Sequence, residues 1–388
     1  MTAPDLKSHI SEAAGTLAES LFSSKRAPRA FVGLDGFIDE IVQVVDQRVT
    51  PTQYTPVRTI TDYAHRLAGA AGKSTNVEFV IQQIKMGGNG PLMADAMGAL
   101  GTKVNYVGAL GWPMMNPTFD PLKRWGSVAS IADPGVTTAA EFDDGKIMHG
   151  KLQTLSQITY PNMVERLGGQ GVLDSMMADA DIVAMVNWTM IPHLTSVWRD
   201  LSDRLAEAVG DKGPDFIFFD LCDPQKRSRE DLRECVEVIS SFGRTKATPI
   251  LGLNEKESEE VCEALSLPYG ESDGPGLIDR ARRIADASGI GEIVIHPRTF
   301  ASAYGADGEG TIQGPMCAAP KLTTGAGDHF NGGYCFARLL GLEPRLALAI
   351  GKAVSGFYVR EGRGPTAKEI GVFCERWVAG TLDPWVGV

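Results

Sequence analysis

KLTTGAGDHFNGGY, residues 321–334, sets a carboxylate, Asp328, directly behind three small residues, Gly325, Ala326 and Gly327. From Asp328 to Leu340 the chain reads as a helix, with Phe330, Tyr334 and Ala337 near helical spacing. The first N–H groups of a helix lack intrahelical partners and lie at the positive end of its dipole. With no bulky side chains in front of them, they can receive an anion. Asp328, in the first turn, would face the same place. A carboxylate beside an anion hole is suited to phosphoryl transfer. It can take a proton from a hydroxyl while the N–H groups hold the charge developing on the transferring group. The plainer alternative has Thr323 or Thr324 capping the helix, with Asp328 merely favouring its first turn.

Upstream, short apolar runs alternate with helical patterns. The strand candidates are AFVGL (30–34), VNYVGAL (104–110), DIVAMVN (181–187), DFIFFDL (215–221), PILGL (249–253) and EIVIH (292–296). Most are apolar nearly throughout, as strands covered on both faces of a parallel sheet must be. One helix between them has a clear start: Ser228 caps, Asp231 lies three residues on, and Leu232, Cys235, Val236 and Ile239 form an apolar stripe. The alternation predicts a doubly wound α/β structure. Ligands of such sheets bind beyond the carboxyl ends of the strands. Polar residues gather there: Asp35 and Asp39 after the first strand, Asn187 ending the third, Asp220 and Asp223 closing DFIFFDLCD, Asn254 after PILGL, and His296 ending EIVIH. Any one of them could be a turn or cap; together they would line one sheet edge.

Composition narrows the function classes. The 388 residues carry a formal net charge of -11 at pH 7, which argues against broad binding to nucleic acid or an anionic membrane. No run of about eighteen apolar residues offers a membrane span. MTAPDLKSHISEAAG has no apolar core behind basic residues, so no secretory leader is expected. The six cysteines form no C-x-x-C pair and several fall in apolar runs, the pattern of free thiols in a reducing cytoplasm.

Two stretches break the rhythm, residues 46–60 and 112–160, both rich in Pro, Gly, Thr and Asp. The second holds EFDDGKIMHG, whose D-D-G predicts a hairpin turn. Structureless loops of this length are uncommon inside compact domains, so these excursions are expected to form a lid.

Three further glycine or capping motifs need sorting. GAAGKST (69–75) mimics a phosphate-binding P-loop, but Leu67 stands where the first glycine belongs and a helix precedes it. KMGGNGPLMADAMGALG (85–101) places Gly87 and Gly88 where the backbone can approach a ligand, and Asn89 where it can both donate to and accept from a hydroxyl. In LNEKE (253–257), Asn254 and Glu257 would reach phosphate oxygens and Mg²⁺, Glu257 through water, although Asn followed by Glu at this spacing is equally a capping box.

In chain order, GLDGFIDEI, GGNGPLMADAMGALG, DLCDPQKR, LNEKE and TTGAGDHFNGG resemble the motifs of the PfkB carbohydrate kinase family, of ribokinase-like fold. The resemblance implies one three-layer α/β/α domain over residues 1–388, with a doubly wound, mostly parallel sheet and a small β lid at about 40–60 and 112–160. It implies transfer of the γ-phosphoryl group of ATP to a hydroxymethyl group, with Asp328 as base and Gly325, Ala326 and Gly327 as anion hole. Asp39, Gly88 and Asn89, flanked by Asp35 and Gly87, would serve the sugar, and Asn187 would lie between sugar and nucleotide. Asn254 and Glu257 would serve Mg²⁺ and phosphates, with Asp220, Asp223 and Thr324 on the same side and Lys352 to Ser355 near the adenine. The expected partners are a small sugar or nucleoside and, through the lid, a second copy of the chain.

The chain also departs from that pattern. Leu322 replaces an acid that helps hold a monovalent cation, which counts against activation by K⁺. Leu92 replaces an asparagine that contacts sugar, and His296-Pro297-Arg298 replaces a T-x-G near the nucleotide. Three alternatives therefore stand beside the ATP-dependent sugar kinase: a nucleoside kinase, an ADP-dependent sugar kinase of the same superfamily, and a non-catalytic sugar or nucleotide sensor on the same fold.

Overall fold

The computed structural model describes residues 3–209 and 213–383. All six apolar runs form strands of one nine-stranded sheet, whose order is 308–313, 300–305, 292–295, 248–253, 216–220, 182–185, 29–34, 103–109, 128–132. The pairings from 292–295 through to 128–132 are parallel, and the two strands at the opposite edge are antiparallel. Side chains alternate between two buried layers. Phe31, Val183, Ile217 and Phe219 enter one, with Trp198 and Phe242 from its helices. Ala30, Val32, Ala184 and Phe218 enter the other, against helices including Asn89–Leu100, Ala326–Leu339 and Pro344–Glu361. These are the three layers that continuous apolar strands require. The helix Arg229–Ser241 starts at Ser228 with the capping box its sequence predicts. GAAGKST closes the helix Ile60–Ala68, with Gly69 as its C-cap, and continues as a turn.

A second sheet of five strands runs in the order 54–56, 37–48, 135–142, 145–151, with 79–87 paired to the free side of 37–48. The sequence pattern does not predict the strand 79–87. The 112–160 excursion is also shorter than expected: 128–132 joins the large sheet, and Leu155 and Ile158 pack into the large core. The hairpin turn falls at Asp143-Asp144, where Phe142 pairs with Gly145. One face of this sheet packs Val42, Val44 and Ala140 against Tyr63. Asp39, Thr137, Ala139 and Glu141 alternate onto the other face, and their pairings put Lys85, Met148 and Lys146 beside them.

Candidate active site

The helix Ala326–Leu339 begins at Gly325, whose φ of +91° and close neighbours exclude a side chain: a Cβ would lie 2.9 Å from the Tyr358 hydroxyl and 3.0 Å from Leu92 Cδ1. Leu92, in the place of the family asparagine, packs on this loop. The loop is held from behind. Tyr358 Oη donates to the Thr324 carbonyl at 2.7 Å, and His329 Nδ1 lies 2.8 Å from the Gly325 carbonyl. Burial pushes His329 down to about 4, so its ring is neutral at pH 7 and its Nδ1–H is the donor to that carbonyl. Ala326, expected to contribute to the anion hole, already donates to the Thr323 carbonyl at 3.2 Å. Among the described residues, the N–H groups of Gly325, Gly327 and Asp328 have no backbone acceptor. Thr324 is not a free contact either: its hydroxyl accepts from Lys146 Nζ of the second sheet, at 3.1 Å.

Asp35 turns out to be internal. It is 0% exposed, and its carboxylate accepts from Asn89 N (2.9 Å), Gly90 N (2.8 Å) and Asn187 Nδ2 (2.6 Å). It therefore fixes the start of the helix Asn89–Leu100. Asn187, held by that bond and buried, is likewise removed from the surface, although its Oδ1 has no partner. Burial lifts Asp35 to about 6, opposed by these hydrogen bonds. Asp39 reaches the neighbouring surface. Its carboxylate lies against Gly87, where a Cβ would meet it at 2.4 Å, while Gly88 turns with φ +100° over Asp35. Burial raises Asp39, with Lys85, Thr137 and Lys146 pulling it back.

A cavity of about 530 Å³ opens beside this corner, of a size that suits a small ligand. It brings together Asn89, Asp220, Asp223, Asn254, Glu257, Ala326, Gly327, Asp328, Lys352 and Ser355. The capping-box reading of LNEKE holds: Asn254 Oδ1 accepts from Glu257 N, and Glu257 accepts from the N–H groups of Asn254 (2.8 Å) and Asp223 (2.9 Å). That cap does not remove Glu257 from the cavity wall. It orients the carboxylate there. Lys352 Nζ is spent on the Pro297 and Arg298 carbonyls at 2.6 and 3.3 Å, and burial lowers it to about 7.

The electrostatics are those of a crowded acid cluster. Burial holds Asp328 well above the usual carboxylate range; Asp35 and Glu257 push the same way, and a hydrogen bond with Asn89 opposes them. Asp220 is raised well above that range, first by burial and then by Glu257 and Asp328. Burial also raises Glu257. One buried polar atom here lacks a partner, Asp220 Oδ1. Such groups collect at functional sites. Asn331, which donates to Asp220 Oδ2 at 3.1 Å, is absent from the sequence-based candidates; its signal is its place three residues after Asp328, on the same helix face. His296, legible in the sequence only as a polar strand end, stacks on Phe330 at 4.5 Å and lines the cavity with the exposed Arg298.

The family model described as prokaryotic ketohexokinase matches residues 6–377. A ketohexokinase of Haloferax volcanii is 29% identical over 373 residues, covering 94% of this chain and 96% of that protein. Among solved structures, a Xylella fastidiosa fructokinase with bound ATP superposes with TM-score 0.60 at 15% identity, over 91% of this chain and 99% of that one. A Cryptococcus neoformans ribokinase in complex with ADP gives TM-score 0.60 at 17% identity, over 89% and 99%. At these identities the two structures speak for the fold alone.

Proposed function

The chain belongs to the prokaryotic ketohexokinase family, a group of sugar kinases of the ribokinase superfamily, and from that premise we propose that it transfers the γ-phosphoryl group of ATP to a hydroxymethyl group of a ketohexose. Sugar phosphotransfer takes precedence over the non-catalytic sensor. The observation that carries the mechanism is the position of Asp328, on the wall of the same cavity as Gly327 and the Asn254–Glu257 turn. Asp328 accepts the proton of the attacking hydroxyl. The open N–H groups of Gly325 and Gly327 hold the phosphoryl oxygens as charge builds on them. Asp39, with the Gly87-Gly88 turn beneath it and Asn89 alongside, orients the sugar hydroxyls. Asn254, Asp223 and Ser355 line the nucleotide side.

Mg²⁺ suits this donor set. Glu257 keeps lone pairs free and Asp220 Oδ1 is unpaired, while no cluster of three ligating side chains forms among the described residues. That arrangement suits an ion held by phosphates and waters, with Glu257 and Asp220 in its outer shell, not one held in a protein cage. When bound, the ion would neutralise phosphate charge. The second sheet acts as a lid that excludes water. Its edge strand 79–87 exposes Ile81 (52%) and Ile84 (53%), the surface through which two chains would pair.

A panel of ketohexoses, aldohexoses and nucleosides, assayed with ATP and with ADP, tests the proposal. Ketohexose phosphorylation driven by ATP is expected. Preference for a nucleoside, or for ADP, would replace it.

A further inference from the structure

The second sheet carries a lysine to the loop that opens the helix Ala326–Leu339. Lys146 follows the Asp143-Asp144 turn, pairs with Glu141, and so shares a sheet face with Thr137 and Asp39. Its Nζ donates to Thr324 Oγ1 at 3.1 Å, and Thr324 directly precedes the open N–H of Gly325. Its charge is also felt at Asp39, on the sugar side. Lys146 therefore stands between the sugar corner and the phosphate loop. The cations of the cavity wall, Lys352 and Arg298, and Lys85 of the neighbouring strand are placed differently. Lys352 is tied to two carbonyls, Lys85 lies opposite Asp39 in the neighbouring strand, and Arg298 sits beyond His296. Of these four cations, Lys146 alone bonds to a residue of the loop.

We propose that Lys146 is a catalytic cation supplied by the lid, which binds the phosphoryl group in flight. This rests on the kinase reading above. In the step, the sugar hydroxyl oxygen forms a bond to the γ-phosphorus and the bond from that phosphorus to the β-bridging oxygen breaks. The hydroxyl proton passes to Asp328, and ADP leaves with the electron pair. Lys146 acts only as a hydrogen-bond donor. It exchanges its hydrogen bond to Thr324 for one to an equatorial phosphoryl oxygen, opposite the N–H groups of Gly325 and Gly327. Charge that develops between two fixed donor sets is stabilised more than the ground state is.

The test is Lys146→Ala, with Lys151→Ala as control. Lys151 lies on the same strand, pairs with Val136 on the other face and sits 3.8 Å from Glu40. Steady-state kinetics on the best ketohexose should show kcat falling by about 10²-fold in Lys146→Ala, with donor KM little changed. Lys146→Arg should recover part of that loss, and Lys151→Ala should stay within about twofold of the parent. A Lys146→Ala enzyme that keeps kcat within about twofold would overturn the inference while leaving the kinase intact. A loss confined to sugar KM would also overturn it, since it would make Lys146 a sugar contact only. A parent protein silent on every sugar would overturn both.

Discussion

Asp328→Asn removes the proposed base while keeping the shape of the side chain, and its two expected effects run in opposite directions. Turnover should fall by about 10²–10⁴-fold, the usual contribution of a positioned general base, or about 2.7–5.4 kcal/mol of barrier. Stability of the ligand-free protein at neutral pH should rise. Burial and the neighbouring acids raise Asp328 in the folded state above its unfolded value. A raised acid adds stability below its unfolded pKa, and that stability is lost as pH rises through the folded value. Above that window the folded protein bears an unfavourable buried charge, which asparagine does not carry. Asp35 and Asp220 also lose a like-charged neighbour. Thermal unfolding at several pH values, together with coupled-assay kinetics, reads both effects. The parent's kcat/KM should decline on the acid side at a pH above that of an ordinary carboxyl. If Asp328→Asn kept turnover within about tenfold, Asp328 would not be the base. If it unfolded at lower temperature than the parent at pH 7, the charge-burden argument would be wrong.

Other substitutions separate architecture from chemistry. Asp35→Ala strands the N–H groups of Asn89 and Gly90 and the Asn187 amide; at about 1–3 kcal/mol for each unpaired donor, denaturant melts should show a loss of roughly 3 kcal/mol or more. Gly87→Ala puts a methyl 2.4 Å from the Asp39 carboxylate, so sugar KM should rise about tenfold or more while donor KM holds. With Leu322 in place of the family acid, replacing K⁺ by Na⁺ or choline should leave the rate essentially unchanged. Hydrogen exchange should slow across 37–48, 79–87 and 135–151 when sugar and nucleotide bind together; unchanged exchange there would argue against closure.

The large sheet is plain in the sequence, because strands buried on both faces are apolar throughout and nearly unambiguous: AFVGL, DFIFFDL and EIVIH all form parallel strands. The strand 79–87 is hidden because FVIQQIKMG lies at a sheet edge and is mostly exposed, so it lacks that signature. The Asp328 loop is legible because helix termini and small residues carry local rules. The capping role of Asp35 is not legible in the sequence, because a carboxylate after a strand looks the same whether it meets a ligand or caps a distant helix. Its partners Asn89 and Asn187 lie far along the chain and only the fold brings them in. Glu257 shows the converse, since capping and lining the cavity prove compatible. Lys146 has no signal in the sequence, because only the fold brings it to Thr324, 178 residues along the chain.

The hairpin at Asp143-Asp144 also limits how the lid can change. Side chains alternate along 145–151, with Lys146 inward and Lys151 outward. Adding or removing one residue between Asp144 and Lys146 would exchange the two faces and turn the ammonium toward Glu40 and away from Thr324. A two-residue change would keep the parity. Natural or engineered length variation at this turn should therefore be tolerated in even steps and penalised in odd ones, a constraint on the lid's lineage that comes from β-strand geometry and not from any single contact.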